Sequence, residues 1–263
     1  MKLLFWRARR IPVLVLHGVL AKRFGALNLD AYGDLIDQAF QAAGEGGTVV
    51  LDIDSPGGSA VQSDLIAARI RRRAEQHNAR VYAVIADVGA SGGYWLACAA
   101  DEILANPMSV VGSIGVIGGG FGFEDAIGRL GVHRRLYTAG ENKARLDPFS
   151  PERPQDQAFV HALLDDIHSQ FKHWVRSRRA GRLKADEADL FDGSYMLGTR
   201  ALETGLIDRF GDIDSLVREL GGKRARARNF RPRRRGLLGR LPRLMAEALL
   251  DAAEEHVGPR ARL

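Results

Sequence analysis

The chain has 263 residues, 46% hydrophobic and 27% charged, which suits one sizeable α/β domain with or without a tail and excludes a disordered or fibrous chain. One cysteine, Cys98, excludes an internal disulfide framework and a cysteine-based metal site; in the apolar run YWLACAA it reads as a buried structural thiol. The net charge of +6 is uneven: residues 223–243 carry ten Lys/Arg and no acid, so the remainder is net negative and the basicity belongs to a tail.

The N-terminal stretch MKLLFWRARRIPVLVLHGVLAKRF has a basic start before an apolar run, the pattern of a secretory signal. That run holds His17 and Gly18, ends in Lys22-Arg23, lacks a small-residue cleavage site and is far shorter than the ~20 residues that span a bilayer. It reads instead as a first buried strand, Pro12–Val19. Further strands are expected at 48–54 (TVVLDID), 80–86 (RVYAVIA), 102–105 (EILA), 113–118 (SIGVIG) and 132–138 (VHRRLYT). Helical patterns fall at 28–43, 60–77, 91–100, 122–130, 154–179, 199–204 and 213–220. This alternation predicts βαβ units and a largely parallel sheet, with some ββα order. Residues 221–236 hold few core-forming side chains and read as a linker or mobile arm. Beyond them Leu237, Leu238, Leu241, Leu244, Met245, Ala248 and Leu249 recur at helical spacing, an amphipathic helix. The expected division is a catalytic domain over 1–222 and a basic linker with its helix over 223–263.

Three segments carry chemistry. DSPGGS, 54–59, follows a strand and precedes a helix; Pro56 fixes one φ, and Gly57 and Gly58 can bring bare amides to a phosphate or a developing oxyanion. It lacks the GKS/T of a phosphate loop, and a plain strand-to-helix turn reads equally well. GASGG, 89–93, sets Ser91 among small residues at a helix start, where it is either a nucleophile or a helix N-cap. Its second glycine comes at once, unlike the GxSxG elbow. A nucleophilic serine needs a base, and none of the seven histidines has a loop setting that suits one. Lysine is the other source. The chain uses 32 arginines and six lysines, and one of the six is Lys143 in the loop YTAGENKARLDPFSP. Lysine can lose its proton when desolvated whereas arginine cannot, although a surface lysine fits the same position. In SVVGSIGVIGG, 109–119, Ser113 and the glycines either line a cleft or serve packing.

Taken in order, DSPGGS, GASGGYWLACAAD, ANPMSVVGSIGVIG, YTAGENKARLDPFSPE and LFDGSYMLGTRALETGLIDRFGDID resemble the signal peptide peptidase A (SppA) serine proteases over residues 11–220. The resemblance implies a ClpP/crotonase-like ββα superhelix as a single catalytic domain. It implies Ser91 as nucleophile, Lys143 as general base, Ser113 as the hydroxyl that orients the lysine, and Gly57, Gly58 and the amide of Gly92 as the oxyanion hole. It further implies hydrophobic peptide substrates, no metal or other cofactor, and a homo-oligomeric ring whose adjacent subunits share each active site. Two departures stand out. Asn142 occupies the place before the lysine where relatives often carry an aromatic residue, and the chain starts close to its first strand where many relatives have a membrane anchor. The expected location is therefore the cytoplasm or the face of the cytoplasmic membrane, with no transmembrane segment. The basic stretch 223–250 would touch anionic lipid. Nucleic acid is not expected, since only Phe230 offers an aromatic platform. Competing readings are a ClpP-like Ser-His-Asp peptidase, for which His133 is the candidate base, a crotonase-type acyl-CoA enzyme on the same fold, and a non-catalytic membrane scaffold.

Overall fold

The computed structural model describes residues 9–232. The chain runs β1 (Arg10–His17), α1 (Leu29–Ala43), β2 (Thr48–Ser55), α2 (Ala60–Gln76), β3 (Arg80–Ala90), α3 (Gly92–Ala97), β4 (Glu102–Ala105), β5 (Val110–Gly112) and α4 (Glu124–Arg129). It continues through α5 (Pro154–Arg178), α6 (Glu187–Leu190), β6 (Tyr195–Leu197), α7 (Gly198–Thr204), β7 (Arg209–Phe210), α8 (Ile213–Gly221) and β8 (Arg226–Phe230).

These strands form one sheet in the order β6-β5-β3-β2-β1-β8, parallel except for the β5–β6 pair. Strand β3 is long enough to fork: Tyr82–Ile85 pair with β4, which continues to β7, and Val88–Ala90 pair with β5. Side chains alternate across the sheet. Leu14, Leu16, Leu51, Ile53, Ala83 and Ile85 face the larger core under α1, α2, α3 and α5. Ile11, Val13, Val15, Val50, Tyr82 and Val84 face a smaller core closed by Leu216 and Val217 of α8. The parallel, two-sided sheet with ββα order is the ClpP/crotonase-like architecture that the sequence led us to expect.

The helix starts follow from local chemistry. Asn28 caps α1 by accepting from the Ala31 amide at 3.0 Å, and Ser59 caps α2 by accepting from the Gln62 amide at 3.3 Å. The two helices are clamped by Asp37 of α1, which takes paired hydrogen bonds from both Arg69 and Arg73 of α2 at 2.5–3.1 Å. The Arg73 bond above all holds the Asp37 carboxyl down, from the usual 3.8 to about 2. Cys98 is buried as expected, and that burial pushes its thiol up to about 12, leaving it unreactive.

Three expectations are corrected. Residues 113–118 do not form a strand. Strand β5 lies just before them, because Ser113 at φ 51° breaks the extended run. Residues 132–138 form no strand either; every side chain in that stretch is exposed, so its apolar residues find no sheet to join. The stretch read as a linker instead contributes β8, parallel to β1 from Arg10↔Arg226 to Leu14↔Phe230. Only Phe230 is buried there, so an edge strand with one apolar anchor reads as polar linker. The helix expected over 237–249 lies outside the described residues. Among the described residues no helix is long and apolar enough to cross a membrane.

The Asp37 clamp gives a pH signature. A carboxyl depressed in the folded state contributes stability that is present above its unfolded value and is lost as pH falls through the folded one. Urea unfolding of the native protein should therefore weaken between pH 4 and 2. Asp37→Asn should be less stable at pH 6 by on the order of 1–2 kcal/mol, discounted for partial exposure, and should lose less across that window. Parallel pH curves for the two proteins would contradict this.

Candidate functional site

Parallel strands end together, so the C-terminal ends of β2, β3 and β5 bring the loops after them to one place. Ser91 follows β3 directly and opens α3, at φ 52° and ψ −122°, outside the regions that L-residues ordinarily occupy. Its amide donates to the Gly112 carbonyl at 2.8 Å and its own carbonyl accepts from the Trp95 amide at 3.0 Å, so the surroundings hold the strained backbone in place. The side chain makes no capping hydrogen bond. The N-cap reading therefore fails, and the hydroxyl is left uncommitted.

The glycines around Ser91 have steric reasons. A Cβ on Gly57 would meet the Gly92 nitrogen at 2.6 Å and the Ser91 Cβ at 2.8 Å. One on Gly58 would collide with the Leu20 carbonyl, one on Gly92 with the Ser63 hydroxyl, and one on Gly93 with the Ser55 carbonyl. Gly57 and Gly58 also hold φ values of 97° and 137°. The amide of Gly57 donates to the Ser55 Oγ at 3.2 Å, so Gly57 serves close approach rather than anion binding. The segment bridges the loop at Leu20: the Leu20 amide donates to the Gly57 carbonyl, and the Ser59 amide to the Leu20 carbonyl. Strand alternation then turns the Gly58 amide the opposite way, and Gly58 lines the cavity beside Ser91. Neither the Gly58 nor the Gly92 amide has an acceptor among the described residues. Two such donors beside a free hydroxyl can hold an oxyanion formed by attack of that hydroxyl.

The cavity has a volume of about 570 Å³. Ser91, Ser113, Gly58 and Gly92 line it together, with Trp95, Val116, Ile117, Ile167 and Phe171 as apolar wall. Ser113 is a second serine in the left-handed region, tied through its amide to the Ser194 carbonyl at 2.7 Å. Sequence reasoning missed two ionisable residues that line the same space. His168, half-buried on α5, bonds the Ile114 carbonyl through Nε2 at 3.0 Å, and Asp192 sits in a turn beside Gly193. A helical position gave His168 no mark in the sequence, and only its contact beside Ser113 reveals it. His133 is not in this cavity; it is exposed at a second, smaller hollow.

Lys143 is not brought to Ser91 within one chain. It is exposed in the loop after residue 138 and does not line the cavity. Its segment is unusually apolar for a surface: Ile117, Phe121, Leu130 and Tyr137 are 97%, 81%, 77% and 89% exposed, and α4 buries no residue. Among the described residues no group of three or more His, Cys, Asp or Glu side chains could hold a metal ion.

The helix that Ser91 opens is anchored firmly. Trp174 of α5 donates to the Trp95 carbonyl at 3.0 Å, and Arg178 donates to the carbonyls of Cys98 and Ala100 at 2.9 and 3.1 Å. Arg71 of α2 donates to the Ala99 carbonyl at 3.2 Å. Buried Arg179 pairs with Asp208 at 2.8 Å and donates to the Gly205 carbonyl at 2.7 Å. The carbonyls just after α3 are thus satisfied by arginine donors and that of Trp95 by an indole, which holds the helix that Ser91 opens.

Comparison with known proteins was made against this geometry. The family model described as Peptidase family S49 matches residues 73–225. Proteins named Na(+)/H(+) antiporter NhaA from Brucella abortus and Brucella melitensis are each 44% identical over 234 residues, which are 88% of this chain and 31% of theirs. A protein named "Probable protease SohB" from Buchnera aphidicola subsp. Schlechtendalia chinensis is 34% identical over 176 residues, 67% of this chain and 56% of its own. The chain thus spans about a third of the antiporter-named relatives and about half of the protease-named one.

A fluorophosphonate probe should label Ser91 and no other serine, read by peptide mass spectrometry. Gly57→Ala, which drives a methyl toward the Gly92 amide, should slow that labelling about a hundredfold, the usual loss for a damaged oxyanion hole. Labelling at Ser113 instead, or an unaffected rate in Gly57→Ala, would contradict the assignment.

Proposed function

Because this chain belongs to peptidase family S49, we propose that it is a serine endopeptidase with a Ser-Lys pair, cleaving hydrophobic peptides such as signal-peptide remnants. The observation that carries the reading is Ser91, strained, hydroxyl uncommitted, beside two amides without acceptors among the described residues, in a cavity with apolar walls. In the proposed reaction the Ser91 Oγ attacks the peptide carbonyl carbon while its proton passes to the Lys143 Nζ. The amides of Gly58 and Gly92 hold the tetrahedral oxyanion. Collapse breaks the C–N bond, and the lysine ammonium returns the proton to the leaving amine. Water then attacks the acyl-serine ester with Lys143 again taking the proton; collapse breaks the bond between the acyl carbon and Ser91 Oγ, the lysine ammonium returns the proton to Oγ, and the acid product leaves. Ser113 would hold the lysine amine in line.

Lys143 is exposed, does not line the cavity of its own chain and sits in a segment of exposed apolar side chains, which supports an assembly in which a neighbouring copy supplies the lysine. Docking would cover the apolar side chains and strip water from the amine, and both effects favour a neutral lysine able to act as a base. The antiporter name of the Brucella relatives is not carried to this chain, since the match covers less than a third of them and the family model falls on the shared segment.

One observation favours a second reading: His168 shares the cavity with Ser91 and offers an imidazole. Its Nε2 is already committed to the Ile114 carbonyl, which suits a structural part. Peptide hydrolysis separates the two. Lys143→Arg keeps the charge but cannot give up a proton, and it should be as inactive as Lys143→Ala, at least a thousandfold down. His168→Gln retains a donor for Ile114 and should stay within about threefold of the native rate. An active Lys143→Arg together with a dead His168→Gln would move the base to His168.

A further inference from the structure

The cavity beside Ser91 has apolar lining and also carries a negative charge with no ion-pair partner among the described residues. Asp192 is exposed, lines the cavity and pairs with no cation among the described residues. Its carboxylate oxygens each accept one bond, Oδ1 from the Ser194 amide and Oδ2 from the Ser194 hydroxyl, both at 2.8 Å. Those bonds close a turn, and the turn is fixed to the cavity because the Ser194 carbonyl accepts from the Ser113 amide at 2.7 Å. The turn accounts for a side-chain oxygen at position 192, which asparagine would supply equally well. It does not account for the charge. Two bonds from one serine also leave carboxylate lone pairs without a partner among the described residues. The Ser194 amide, more than any other contact, holds the carboxyl below its usual range, so it stays ionised wherever a peptidase would work.

Trp95, Val116 and Phe171 line the same cavity. An aliphatic stem that ends in a positive charge matches both kinds of lining: the stem lies on the aromatic and branched side chains, and the charge reaches the carboxylate. We infer that Asp192 is a specificity-determining residue that selects peptides carrying a lysine or arginine side chain at the position that enters this cavity. The inference rests on the peptidase reading of the same cavity and names the charge class of its substrate.

The test separates recognition from chemistry. The Ser91→Ala chain, which cannot turn over, is titrated with fluorescent apolar hexapeptides carrying a single lysine at successive positions, against the same set with norleucine. At one position lysine should bind about tenfold tighter at low ionic strength, and the advantage should shrink with salt. In Ser91→Ala/Asp192→Asn the turn keeps its acceptor, so norleucine affinities should hold while the lysine advantage falls to about one. Equal affinity for lysine and norleucine at every position would overturn the inference. So would a lysine preference that survives Asp192→Asn. Incubating the native chain with the preferred peptide keeps the two readings apart: tight, Asp192-dependent binding without cleavage would count against the peptidase and leave the recognition role standing.

Discussion

No methyl group fits between Gly57 and Gly92, and the site depends on that contact. It fixes how closely the end of β2 approaches the start of α3. Only with both positions bare can Gly58 and Gly92 line the cavity together while Ser91 stands beside them at φ 52°. The strain at Ser91 is held by what surrounds it: a hydrogen bond to the β5 end behind, and a helix whose far carbonyls are bound by Arg71, Arg178 and Trp174. A serine free to relax would turn its hydroxyl into the helix as a cap. Here the backbone is over-determined, and the hydroxyl remains available for chemistry.

In the proposed enzyme the fold completes the half of the site that would bind the substrate carbonyl and leaves the proposed base outside it. Residues 117–149 carry Lys143 together with apolar side chains that the chain's own cores do not take up. An exposed apolar patch of that kind marks a surface built to be covered. In the proposed assembly, burial against another copy would cover both the lysine and these side chains. In the proposed enzyme, assembly and activation are then the same event, because the desolvation that stabilises the contact also lowers the affinity of the lysine for its proton.

The legible part of the sequence was the part governed by burial. Runs such as TVVLDID and RVYAVIA announce strands because both faces of a parallel sheet need apolar side chains. The misread parts obey other constraints. Residues 113–118 and 132–138 have strand-like composition, but a positive φ at Ser113 and full exposure of the second stretch keep them out of the sheet. Strand β8 went unseen because its backbone alone joins the sheet, apart from Phe230. Within the site, small residues flagged Gly57, Gly58, Ser91 and Gly92 in advance, since close approach demands them. Backbone strain leaves no compositional trace, and His168 and Asp192 reach the cavity through folds of the chain that local pattern does not encode.

The central claim is that one copy supplies Ser91 and another supplies Lys143. Mixing the inactive Ser91→Ala and Lys143→Ala proteins tests it most directly, with subunit exchange followed by a label on each. Random assembly pairs an intact serine with an intact lysine in roughly a quarter of shared sites, so peptide hydrolysis should return to about that fraction of the native rate. Exchange without any return of activity would place serine and base in the same chain and contradict the account.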